Sequence, residues 1–528
     1  MIPLAALVIL ATVTPSAQSV EAWDFVDETF QLDAAPAGNP FVDARLSGEF
    51  GRAGGPRLSV DGFCDSEDGR VFRLRFMPPD PGDYTWQATL HTRDGDQPFS
   101  GAFHAADGHR RGLLQADPDF PWHFQWAGTG EHYYFAGTTA FFLAGWDDDA
   151  VIDAIIDRLA RLKVNRVRCM LAARSDHTWT EPIKPGHGFH LCLNPWAARR
   201  PDDVRNPGFD YTRFNLDYWR KYERLLRHAR DMDVTVSVVF DWNDSPLHPA
   251  AGGDDEQRFF RYAAARLGAF SNVTWDLGDD LDSFRSVAWT HDMGTLLHGW
   301  DAYHHLATSH PVNNDHQDRA ADWFGFTSFQ EWHRPLHAWL IEQRGRQAAT
   351  GRIIPQTDEE YGYEDHYPTW APYKPPAADA EGNRRTAWDI AMAGCYQTTG
   401  ETAKRGTGVP PDTGGGWVNG RGDDTMVMLR GYAHLVEFFT AFPWWRADPH
   451  DELVDAGCFC LAEPGRLYAV YLPHGGRVGV TLATGRYEAA WFNPRTGERL
   501  PLPRVEGEQW TSPTAPDGQD WALLLQRG

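Results

Sequence analysis

The chain has 528 residues, of which 42% are hydrophobic and 23% charged, and it carries a formal net charge of −24. The length calls for a large core plus accessory domains, and the two fractions are those of a packed globular protein, which excludes disorder and a membrane-spanning architecture. The acidic balance excludes a nucleic-acid backbone or an anionic membrane surface as partner, since both require clustered Lys and Arg.

Residues Pro3 to Val13 form an apolar run of signal-peptide length, followed by small residues around Ala17 and Ser19 where a cleavage would fit. The expectation is a signal peptide over residues 1–19 and a secreted or periplasmic protein with no membrane contact after its removal. From Val20 to about His109 the chain reads as short alternating strands (TFQLD, RVFRLRFMP, YTWQATLHT) separated by Gly and Pro turns. That spacing predicts a β-sandwich over residues 20–109 with a structural role.

From about Arg110 the texture changes to strands alternating with amphipathic stretches, which predicts βα units around a parallel sheet. The candidate strands are Tyr133–Gly137, Val164–Leu171, Val234–Phe240, Asn272–Leu277, His305–His310, Trp323–Phe329, Arg352–Thr357 and Ala393–Thr398. Helical patterns fall at Asp148–Lys163, Asn215–Met232, Gln257–Phe270 and Ser286–His304. The fold class expected is α/β, a (β/α)8 TIM barrel over residues 110–447. Pro375–Arg385 and the glycine-rich Gly406–Asp424 read as long surface connections, and a helix is expected over Met426–Phe442. From about Leu453 the β texture returns (GRLYAVYLP, RVGVTLA, RYEAAWFNPRTGERL, WALLLQ), which predicts a C-terminal β-sandwich over residues 448–528.

Two stretches of this barrel carry chemistry. In Ser271–Asp282 (SNVTWDLGDDLD) an apolar strand ends in Asp279, Asp280 and Asp282, and in Arg352–Glu364 (RIIPQTDEEYGYE) another runs into Asp358, Glu359 and Glu360. Carboxylates crowded together repel unless a proton, a sugar or a metal lies among them. Two strand ends, each carrying carboxylates, are what cleavage of a glycosidic bond needs: a proton donor on one side, a nucleophile or base on the other. A calcium site at Asp279, Asp280 and Asp282 is disfavoured, because Leu281 and Phe284 fall where further oxygen ligands would be wanted. Other polar residues just after candidate strands are Arg168, Asp241, Trp242, His310, Gln330 and His333. The 23 Trp residues supply flat apolar faces with a polar N–H, which suit sugar rings. The six cysteines have no zinc spacing and fix no disulfide pattern.

On these residues the chain resembles the apiosidase-like glycoside hydrolases, family 140 and its relatives with clan A barrels. The resemblance takes in an N-terminal β-sandwich, the barrel and a C-terminal β-domain of the collagen-binding-like type. Trp275, Gly278, Asp279 and Asp280 stand at the places of a strand-four motif W-x-x-G-G-D, with Asp279 where a Gly is usual, and this implies Asp280 as the acid/base. Asp358 to Glu364 resembles a strand-seven motif D-G-E-P-x-Y-E, with Glu359 for Gly and Tyr361 for Pro, and this implies Glu360 as the nucleophile. Arg168, Asp241, Trp242, Asp279, His310, Gln330 and Tyr363 are then the candidate substrate-binding residues. The resemblance implies a retaining glycosidase of plant or bacterial polysaccharide, with apiose- or arabinofuranose-type furanosides as candidate substrates and no metal or organic cofactor. The competing class is a catalytically silent carbohydrate-binding protein on a degenerate barrel.

Overall fold

The structure is a computed structural model that describes residues 19–176, 188–402, 416–422 and 427–528. The signal-type run at residues 3–13, and most of the glycine-rich stretch from Gly406, lie outside the described residues.

Eight parallel strands build the centre: β1 (Ala136–Thr139), β2 (Arg166–Met170), β3 (Thr235–Val239), β4 (Val273–Asp279), β5 (Ala307–His310), β6 (Phe329–Gln330), β7 (Thr357–Glu360) and β8 (Tyr396–Thr399). They pair in the order β5-β4-β3-β2-β1-β8-β7-β6, and a parallel bridge between Ala307 and Phe324 brings the two ends of the sheet together. The result is a nearly closed TIM barrel. Helices α1 (Asp149–Arg161), α2 (Leu216–Asp231), α3 (Asp254–Leu267), α4 (Val287–Trp300), α5 (His337–Ala348), α6 (Ala380–Met392) and α7 (Met428–Phe439) surround it. Asp148, Asn215, Ser286 and Asp379 cap four of these with side-chain oxygens that accept from first-turn amides.

The structure differs from the sequence reading at several elements. Strand β7 begins at Thr357, where the expected strand ends, so Asp358, Glu359 and Glu360 lie within it. Strand β6 keeps only the end of its expected run, and α3 starts three residues early, at Asp254. Residues 380–385 are the first turns of α6, launched by the Asp379 cap. Trp417, Val418 and Asn419 are buried against the chain after β1: the Phe142 amide donates to the Val418 carbonyl at 2.7 Å, and the Trp146 indole to the Asn419 carbonyl at 2.9 Å. That part of the glycine-rich stretch is a piece of the barrel top rather than a surface connection.

The barrel interior is polar where such barrels usually hold branched aliphatic side chains. Arg166 and Arg168 are fully buried in it together with Asp276, Glu359 and Thr398. Arg166 Nη1 lies 2.7 Å from Glu359 Oε2, and the Thr398 hydroxyl donates to the same oxygen at 2.9 Å.

Before the barrel, a five-stranded sheet (19–21, 95–106, 82–92, 45–52, 57–61) faces a three-stranded one (26–31, 71–76, 63–64). Tyr84, Trp86, Ala88 and Leu90 alternate inward along one strand, and Phe50 stacks on Phe76 at 4.3 Å. Arg75 of this sandwich reaches into the barrel wall, 2.8 Å from Glu223 of α2, which fixes the two layers together. After the barrel, a six-stranded antiparallel sheet packs on α6 and α7, with Tyr471 stacked on Trp388 at 5.1 Å and Phe492 5.1 Å from Phe438. All six cysteines are free thiols.

Candidate active site

The carboxylates of interest reach the C-terminal end of the barrel through two interruptions of strand pairing. Between β4 and β5, Asp276 pairs with Thr308 but the next pair is Asp279 with His310, so β4 carries one residue more than its neighbour. Between β6 and β7, Phe329 pairs with Asp358 and Gln330 with Glu360, which leaves Glu359 extra. Strict alternation would send Asp279 and Glu360 to the outer face if Asp276 and Glu359 point inward. Each bulge resets the alternation and turns the last carboxylate of its strand over the barrel mouth. Gly278 permits the first bulge, because a Cβ there would lie 2.8 Å from Leu281 Cδ1 and 3.3 Å from the Asp241 carbonyl oxygen. Asp280 follows in the left-handed region at φ 51°, a conformation costly for a non-glycine residue and one that concentrates at functional sites.

Arg168 is the cation around which the carboxylates gather. Its Nη2 donates to Asp279 Oδ1 at 2.7 Å and lies 3.7 Å from Asp276 Oδ2, while Nε is 3.5 Å from Glu359 and Nη1 is 3.8 Å from Glu360. The guanidinium is fully buried, so it acts on the mouth of the barrel through the groups it holds. His310, at the end of β5, points Nδ1 at the Ser328 hydroxyl (2.8 Å) and Nε2 toward Glu360 Oε2 (3.4 Å) and Asp279 Oδ1 (3.7 Å). Gln330, which pairs with Glu360 across β6 and β7, favours the ionised form of both Asp280 and Glu360, and Asn243 donates to Asp280 Oδ2 at 3.2 Å.

These surroundings divide the two carboxyl groups. Burial, followed by the charges of Asp279 and Glu360, pushes Asp280 up to about 8, in spite of His310 and Gln330. Burial also raises Glu360, but His310 as hydrogen-bond partner and charge, Arg168 and Gln330 together outweigh it and hold the group below the usual carboxylate range. Burial raises Asp279 to about 6 against the pull of Arg168 and His310. At neutral pH the mouth therefore presents one protonated carboxyl, Asp280, beside one carboxylate, Glu360, the division of labour that acid-assisted displacement requires.

Asp279, His310 and Glu360 place one ligand atom each within 4.8 Å of one another, a spacing a divalent ion could use. The residues present do not fit one: the Arg168 guanidinium already sits on Asp279 and near Glu360, and a second cation there would meet its charge at close range.

Of the other sequence candidates, Asp241 stands just past β3 with both oxygens engaged, one by the Trp242 amide at 2.8 Å and one by His248 Nδ1 at 2.6 Å. Trp242 bridges to Asp279 and packs its ring 5.6 Å from Phe142. Tyr363 is buried, its hydroxyl held well above the ordinary range by burial first and then by the Glu360 charge, and its ring stacks on Trp417 at 4.8 Å. His333 is exposed and paired with Glu331. Asp282 leaves the acidic cluster: it accepts from the Val312 amide at 2.7 Å and the Asn313 amide at 3.1 Å and lies 2.9 Å from His316. It pins the loop after β5 and takes no part in a three-carboxylate site. The sequence reading missed Asn243, Asp276 and Trp417, as well as the pairing of Arg166 with Glu359. Gly278, just past the expected strand Asn272–Leu277, is the local signal from which the bulge in β4 could have been read.

Comparison with known proteins bears on the barrel. Residues 169–401 match the family model described as "Apiosidase-like, catalytic domain". Over this span, from β2 to the end of β8, the barrel is similar to an apiosidase-like catalytic domain, which supports a glycosidase. Residues 458–526 match the model of a "Putative collagen-binding domain of a collagenase", and residues 19–91 match a domain of unknown function. A solved structure described as a "putative glycoside hydrolase" from Bacteroides vulgatus superposes with a TM-score of 0.79 at 19% identity, over 97% of this chain and 100% of that one. A glycoside hydrolase family 5 structure from the same organism superposes with a TM-score of 0.59 at 15% identity, over 79% of this chain and 94% of that one. At these identities the likeness is one of fold. No curated protein matches the chain.

Proposed function

We propose that this apiosidase-like barrel is a retaining glycosidase in which Asp280 is the acid/base and Glu360 the nucleophile. The observation that carries the reading is the opposite displacement of two carboxyl groups at the barrel mouth, Asp280 up to about 8 and Glu360 downward, by neighbours that differ in charge. Glu360, kept ionised by His310 and Arg168, attacks the anomeric carbon while Asp280 gives its proton to the departing oxygen. Asp280, now charged, takes a proton from water, and that water opens the glycosyl-enzyme ester. Arg168 holds Asp279 in place and also lies 3.8 Å from Glu360, so it positions both the charge that raises Asp280 and the nucleophile itself. The substrate class that fits the apiosidase-like catalytic domain is a furanoside, of apiose or arabinofuranose type, within a plant or bacterial polysaccharide. A panel of aryl furanosides and pyranosides tests this, with the anomer of the first-formed product read by NMR. Hydrolysis of a furanoside with retention is expected; inversion, or turnover of pyranosides alone, would overturn the corresponding half of the proposal.

A further inference from the structure

Beside the catalytic carboxylates, the loops after β5 and β6 and the segment 370–372 enclose an open recess of about 430 Å³, within the range of ordinary small-molecule sites (~300–1,000 Å³). Gln330 lines it and pairs with Glu360 across β6 and β7, so the recess adjoins the strand end that carries Glu360. Its outer wall is Trp370, 62% exposed and the most exposed of the large apolar side chains among the described residues. The indole is braced rather than loose: it meets Trp332 edge-on at 4.6 Å, and Trp332 lies parallel to Tyr373 at 5.9 Å. Trp339 lines the recess as well. Around it, Arg346 is paired with Asp315 at 2.5 Å, and Glu331 Oε1 lies 2.6 Å from His333 Nδ1. Asn313 adds a neutral amide to the lining.

An exposed, pre-oriented indole face next to amide groups and hydrogen-bonded polar side chains suits the C–H face and hydroxyls of an uncharged sugar, and its fixed orientation lowers the entropic cost of binding. We propose that this recess is a subsite for a neutral sugar ring of the glycan chain, the ring neighbouring the one attacked, with Trp370 as its platform. The inference rests on the glycosidase reading above and goes beyond it by naming what the site grips outside the scissile sugar.

The test uses the full chain carrying Glu360→Gln, run through native gels containing dissolved arabinan, rhamnogalacturonan or galactomannan. At least one polysaccharide should retard it; adding Trp370→Ala should weaken that retardation tenfold or more, and Trp370→Phe should restore much of it. On the otherwise native enzyme, Trp370→Ala should lower kcat/KM on an oligosaccharide at least ten times more than on an aryl monoglycoside. No retardation by any of the three, or retardation indifferent to Trp370, would overturn the subsite. Its fate separates from that of the catalytic proposal: Glu360-dependent hydrolysis with no role for Trp370 sinks only the subsite. Trp370-dependent retardation by a protein that hydrolyses nothing leaves the subsite standing and sinks the catalytic assignment.

Discussion

Arg168 Nη2 lies 2.7 Å from Asp279 Oδ1, and both side chains are buried in the mouth of the barrel. The pair is one edge of a network that also takes in Asp276, Glu359 and Glu360, so a single guanidinium is shared among four carboxyl groups. Removing the shared partner of a buried ion network leaves charge uncompensated, which costs about 3–5 kcal/mol. Arg168→Met should therefore lower the unfolding free energy read from urea titration by that amount as well as abolish activity. A variant of native stability would show that the carboxyl groups do not depend on it.

The divided titration makes a prediction about pH. Activity requires Glu360 ionised and Asp280 protonated, so kcat/KM should rise as Glu360 loses its proton, below the usual carboxylate range, and fall as Asp280 loses its own near pH 8. Asp279 is the largest charge acting to raise Asp280. Asp279→Asn should move the alkaline limb to lower pH by about 1 unit. An unmoved limb in that variant would assign the alkaline limb to another group.

The same displacement has a cost in stability. Asp280 is raised in the folded protein from 3.8 to about 8, so the folded state binds more protons than the unfolded one between those values. Stability attributable to this group is therefore greatest below about pH 4 and declines as pH rises through that window. Asn cannot ionise. Asp280→Asn should raise Tm relative to the parent by an amount that grows from pH 5 to pH 8 and then levels off; a constant difference across that range would contradict the burial of a titrating carboxyl.

Asp282 offers the contrast. It binds two backbone amides and His316 and touches neither Asp280 nor Glu360. Asp282→Ala should cost about 1–3 kcal/mol in stability through the two amides it strands, while kcat stays within a few-fold of the parent at temperatures where the fold is intact. A collapse of kcat comparable to that of a Glu360 variant would return Asp282 to the site.

The sequence was informative wherever a local pattern decides the structure. The apolar runs mark six of the eight barrel strands and lie mostly before the other two, β6 and β7, while three expected helices begin on the residues that cap them, Asp148, Asn215 and Ser286. It was silent where the partner comes from far along the chain. The expected strand stops at Thr357 because three adjacent carboxylates are poor strand formers on their own; residues 358–360 continue it with Arg166 and Arg168, more than a hundred residues upstream, against Glu359. Asp282 looked like a member of an acidic cluster, and its true partners follow about thirty residues later. Trp370 was one indole among 23, with nothing in its neighbours to say that it would stand exposed.

The unequal roles of the two carboxyl groups give the last prediction. Glu360→Gln keeps the shape of the side chain and removes the attacking charge, so every substrate should lose several orders of magnitude in rate, whatever its leaving group. Asp280→Asn should cripple substrates with poor leaving groups, because their oxygen departs only when protonated, and should spare the first step for an activated aryl glycoside. Opening of the glycosyl-enzyme ester then becomes limiting, since water has lost its base. Azide needs no base: as a small anion it should attack the ester directly, restore turnover of Asp280→Asn and yield a glycosyl azide of retained configuration. Glu360→Gln should gain nothing comparable by the same route, because it forms no glycosyl-enzyme. Any azide product from that variant should arise by direct displacement and carry inverted configuration. Rescue with inversion in Asp280→Asn, and with retention in Glu360→Gln, would exchange the two assignments.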